Sequence, residues 1–126
     1  MVISDAVHTL ERELREIFGG RLQSLIVYGQ RARPARHDHA GHGHDGPPTH
    51  TLGIVDSMTP QDLRACALCV ERWHGAGLAT PLLIADHEFE RSLDAFPMEF
   101  GAILADHTVV AGANPFASLE IGRAHV

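Results

Sequence analysis

The first apolar residues of the chain fall on one side of a helix. Val7, Leu10, Leu14 and Ile17 recur at helical spacing, and Glu11, Arg12, Glu13, Arg15 and Glu16 take the positions between them. Ser4 stands where an N-cap is needed. Gly19 and Gly20 supply a stop, because glycine accepts the left-handed backbone that closes helices.

The pattern then changes period. Leu22–Tyr28 is a short β-branched and aromatic run, which predicts a buried strand ending at Gly29. From Pro34 the composition shifts to His, Gly, Asp and Pro, from which no packed element forms, so residues 34–50 are expected to be a His-rich loop. Residues 51–55 predict a second strand. Thr59 caps and Pro60 opens a helix running to about Gly75, with Leu63, Ala67, Val70 and Trp73 on its inward face. Residues 81–85 predict a third strand, and Asp86 a cap for a short helix from His87 to about Leu93. Residues 96–104 and 107–111 read as two further short strands or extended segments, with Phe89, Phe96 and Phe100 in the core. This order gives an α+β fold, a mixed β-sheet with flanking helices.

Composition narrows the function classes. The 126 residues are enough for one domain with one core, and 44% hydrophobic with 21% charged residues is ordinary for a globular chain. A formal net charge of -6 speaks against non-specific binding to nucleic acid, since an acidic surface repels phosphates. Nucleotide binding needs only a local cradle and stays open. No apolar run approaches the roughly 20 residues that span a bilayer, and the first residues carry no apolar signal segment. The expectation is a cytoplasmic protein with no membrane partner. Cys66 and Cys69 have the Cys-x-x-Cys spacing of a redox pair or half a zinc site. They fall inside a predicted helix with no second pair, which favours a packing role.

Several segments together resemble the nucleotidyltransferase superfamily, the DNA polymerase beta-like fold. Ser24-Leu-Ile-Val-Tyr-Gly29 and Thr49-His-Thr-Leu-Gly-Ile-Val-Asp56 are similar to its opening. Pro81-Leu-Leu-Ile-Ala-Asp-His-Glu-Phe-Glu-Arg-Ser-Leu-Asp-Ala-Phe-Pro-Met-Glu-Phe100 and Val109-Val-Ala-Gly-Ala-Asn-Pro-Phe116 resemble a bacterial branch. The resemblance covers residues 22–119. It implies a Gly-Ser pair touching nucleotide phosphates, placed at Gly29 and Gln30, with Arg31 beside them as a further nucleotide-binding candidate. It also implies an Asp-x-Asp pair holding two magnesium ions on ATP, and a third carboxylate near Glu99. Two hard cations require oxygen ligands of high charge density, and they stabilise entering and leaving oxygens together.

The chain departs from that recipe. Gln30 replaces the serine, and Thr49-His50-Thr51 occupies the register of the carboxylate pair. Neutral hydroxyls do not hold two dications. Asp56 lies beyond the strand, and Asp38 and Asp45 lie in the loop. The expectation is a catalytically inactive domain acting as a nucleotide- or partner-binding scaffold, with an active magnesium-dependent transferase as the alternative. Arg31, Arg33 and Arg36 meet phosphate in one reading and form a solvated basic patch in the other.

A third reading rests on the loop. His37, His39, His42 and His44 are candidate ligands for zinc or nickel, with His50 just beyond. Alternation with glycine gives them no rigid shell, so a tolerated surface insertion is the competing reading. Finally, Glu120-Ile-Gly-Arg-Ala-His-Val126 resembles the translation of a sequencing-adapter oligonucleotide. Residues 1–119 are therefore expected to form the domain, with 120–126 a non-native tail and the natural frame continuing past Leu119.

Overall fold

A computed structural model describes residues 3–29 and 47–117. Along the chain it places α1 (Asp5–Phe18), β1 (Leu22–Tyr28), β2 (His50–Val55), α2 (Pro60–Gly75), β3 (Leu82–Ala85), α3 (Asp86–Ala95), α4 (Pro97–Ala105) and β4 (His107–Gly112). The strands form one mixed sheet in the order β3-β2-β1-β4. β1 runs antiparallel to both β2 and β4, and β2 pairs with β3 in parallel. The fold is therefore α+β, a mixed sheet flanked by helices, as the periodicities predict. No helix among the described residues is long and apolar enough to cross a membrane.

Strand periodicity divides the core into two layers. Leu25, Val27 and Val55 point to one face, where Val7, Leu10, Leu14 and Phe18 of α1 meet Cys66 and Trp73 of α2. Ile26, Leu52, Ile54 and Ile84 point to the other, against Phe89, Phe100, Ile103 and Phe116. Leu10 and Leu14 are fully buried, each contributing about 1.5–3 kcal/mol.

The helix signals act as the sequence implies. The Ser4 hydroxyl accepts the Val7 amide at 3.3 Å, and Gly19 closes α1 with a φ of 59°. Thr59 and Asp62 form a reciprocal capping box at the start of α2, with Pro60 in the first turn. Trp73 is buried, and its indole N–H donates to Glu13 Oε1 at 2.6 Å, tying α2 to α1. His74 shares a 2.8 Å hydrogen bond with the Thr80 hydroxyl.

Four expectations are corrected. On α2, Trp73 is buried and Val70 packs against the core as expected, but Asp62 and Cys66 take the remaining inward positions, while Leu63 is 51% exposed and Ala67 is exposed. At the first turn a carboxylate turns inward to meet Arg21, and the neighbouring Leu63 is left facing out. Residues 97–105 form a helix, not a strand. Pro97 sits at its first position, where a missing N–H is harmless, and Phe100 and Ile103 share its buried face. Phe96 lies ahead of that helix and is 55% exposed, so it is not a core residue. Asp86 belongs to the first turn of α3; the cap position is Ala85 and has no side-chain bond.

Candidate functional site

The end of β1 opens on a cleft of about 360 Å³, lined by Tyr28, Gly29, Leu82, Glu99, Ile103 and Asp106 among others. Three separate parts of the chain build it. Tyr28 follows Ile26 at period two and so projects from the α3/α4 face of the sheet. Leu82 enters from β3, and α4 contributes Glu99, Phe100, Ala102 and Ile103. Opposite Tyr28 in the ladder stands His50, and the two rings stack at 5.6 Å with planes 27° apart. Burial pushes the Tyr28 phenol above its ordinary value, so it remains an uncharged hydroxyl at neutral pH.

Gly29 turns with a φ of 76°, a conformation that favours glycine. Its N–H donates to the Asp106 carbonyl at 3.0 Å, continuing the contact between β1 and the approach to β4. That amide is therefore committed to the backbone and does not point at a ligand. Gly29 and Glu99 do come together as walls of one cleft, although Glu99 sits on a helix and not on a later strand.

The register that resemblance assigns to paired carboxylates is in view. Thr49 makes an isolated bridge to Leu78, His50 is exposed, and Thr51 is 1% exposed. The Thr51 hydroxyl has no hydrogen-bond partner among the described residues. Alternation sends Thr51 to the α1/α2 side, away from the cleft where Tyr28 and His50 lie. A carboxylate at position 51 would enter the apolar core, where a charge is costly to bury.

Gln30, Arg31, His37, His39, His42 and His44 lie outside the described residues, as do Arg33, Arg36 and 120–126. Among the described residues no three His, Cys, Asp or Glu side chains gather as a metal site. Cys66 is buried, and that burial, with Cys69 and Asp62 nearby, raises its thiol above the ordinary value. It is a packed thiol, the opposite of the stabilised thiolate that redox pairs need.

A second cavity of about 290 Å³ adjoins the cleft through Leu82, Glu99 and Phe100, and extends it past Ile84, Ser92 and Phe96. Sequence reasoning identified Gly29 and Glu99 but not Tyr28, Leu82, Ile103 or Asp106. Period-two alternation from Ile26 was a signal for Tyr28. Nothing local marks the other three, whose proximity depends on α4 lying across the sheet. Comparison of the chain with protein-family models, with curated proteins and with solved structures gives no match in any of the three.

Proposed function

We propose that this chain is a nucleotidyltransferase-like domain without metal-dependent transfer, working as a partner-binding scaffold through the cleft beside Gly29. One observation carries the reading: the strand position expected to hold metal-binding carboxylates is Thr51, sealed in the core on the far side of the sheet from the cleft. The cleft itself supports a partner over a nucleotide. Among its described walls stands the exposed Glu99, and the Gly29 amide is already bonded to the Asp106 carbonyl. A triphosphate brought there would meet the Glu99 carboxylate. The acidic net charge of -6 and the absence of a long apolar helix among the described residues fit a cytoplasmic setting.

Calorimetric titration with ATP, with and without magnesium, tests the reading. The expected result is no saturable magnesium-dependent heat. Saturable magnesium-dependent binding that Ala102→Trp removes would overturn it in favour of a nucleotide site, because Ala102 is exposed and lines the cleft.

A further inference from the structure

We infer that the outward face of α2 pairs with the same face of a second copy of this chain, the two helices running antiparallel about a two-fold axis. The inference goes beyond the cleft reading and does not depend on it. Asp62, Cys66 and Trp73 turn α2 toward the core, which leaves the opposite side of the helix in solvent. Arg64, Ala67, Leu68 and Glu71 occupy that side, and all four are exposed, Leu68 at 84%.

Charge selects the occupant. Arg64 and Glu71 stand two helical turns apart, a rise of about 10 Å, so they share nearly one bearing on the helix surface. Neither side chain has an ion pair or hydrogen bond among the described residues. Ala67 and Leu68 fill the turn between them. A two-fold axis midway between positions 67 and 68 sets Arg64 of one protomer level with Glu71 of its partner, and the reverse pair forms by symmetry. A parallel pairing in register would set each charge against its own copy, which repels.

The apolar residues fit the same axis. Leu68 lies beside its own copy on one flank, and Ala67 beside its own copy on the other, where a small side chain lets two helices approach closely. One helix face is smaller than the roughly 1,200–2,000 Å² of a stable interface, so the association is transient. Charge fixes its direction and Leu68 supplies the contact. The paired helices lie on the α1/α2 side of the sheet, and the cleft at the end of β1 stays open on the other side of each protomer.

Sedimentation equilibrium of the full chain under reducing conditions tests the pairing, at loadings up to about 1 mM. Salt at about 0.15 M screens the repulsion between two chains of net charge -6 beyond about 8 Å. A reversible monomer–dimer equilibrium is expected. Arg64→Glu alone and Glu71→Arg alone should each weaken it roughly tenfold or more, because each sets like charges opposite one another. General repulsion alone predicts the reverse for Glu71→Arg, which lowers the net charge. An equimolar mixture of those two variants should dimerise as the parent does, since every pair across the mixed interface again joins opposite charges. Leu68→Ser should also weaken the dimer. All three positions are exposed, so each variant should keep the circular dichroism of the parent. A parent that stays monomeric overturns the inference. So does a dimer that both charge variants leave intact, or a mixture that fails to recover, because either result puts the contact on another surface or in another orientation.

Discussion

Arg21 grips Asp62 with both terminal nitrogens of its guanidinium, Nη1 to Oδ2 at 2.7 Å and Nη2 to Oδ1 at 3.0 Å. The same arginine donates to the carbonyls of Ile17, Phe18 and Ser57, and its head lies 5.4 Å from the Phe18 ring centroid. Asp62 meanwhile accepts the Thr59 amide at 2.9 Å. One planar fork thus joins the end of α1 to the start of α2, a geometry that a lysine would not reproduce.

This pair predicts a pH dependence. The Arg21 guanidinium, and after it the Thr59 amide, hold the Asp62 carboxyl well below the usual carboxylate range. A depressed folded-state value means that its stabilisation is fully present above the unfolded value of about 3.9, and is lost as pH falls from there toward the folded value. Asp62→Asn should therefore be less stable than the parent at neutral pH. The gap should shrink steadily below about pH 4. Urea midpoints for both proteins across the acid range measure it, and a gap independent of pH would contradict the assignment.

Thr51 predicts the opposite sign for a mutation. Its hydroxyl is buried without a partner among the described residues, and the whole residue is 1% exposed. Valine has nearly the same shape and leaves no polar atom to desolvate. Thr51→Val should stabilise the domain by about 1–2 kcal/mol in equilibrium unfolding. A loss of stability would reveal a hydrogen bond made by that hydroxyl.

Two glycines in the sheet should respond differently to alanine. At Gly112, with a φ of 78°, an added Cβ would fall 1.9 Å from the Gln23 carbonyl oxygen. No rotamer relieves a backbone collision. Gly112→Ala should cost roughly 2–4 kcal/mol and speed amide exchange along β4. At Gly53 the nearest atom is Leu83 Cδ2 at 2.8 Å, the tip of a flexible side chain. Gly53→Ala should cost about 1 kcal/mol or less once that tip moves. Equal losses at the two sites would show that β4 yields more easily than its register implies.

The elements legible in the sequence are those whose cause is local. The run Leu22–Tyr28 has the bounds its β-branched residues imply, and Ser4, Thr59 and Pro60 act within their own first turns. Hydropathy fails where a partner from afar overrules it. Leu63 is displaced from the α2 interior because Asp62 must face Arg21. The segment 97–105 is too short and too apolar for period alone to separate strand from helix, and the shared burial of Phe100 and Ile103 decides it. Phe116, fully buried against Phe89 and His107, had no pattern around it to mark it as a core residue.

By itself the sequence determined the α+β class, the N-caps of α1 and α2, and the first strand. Those properties depend on spacing and residue type within a few positions. Only the tertiary structure decided that Thr51 faces the core, that the Gly29 amide is spent on the Asp106 carbonyl, and that Glu99 and Leu82 line one cleft. The reason is that a cleft belongs to no single segment. Its walls come from β1, β3 and α4, and they meet because the apolar faces of those elements bury one another across the sheet.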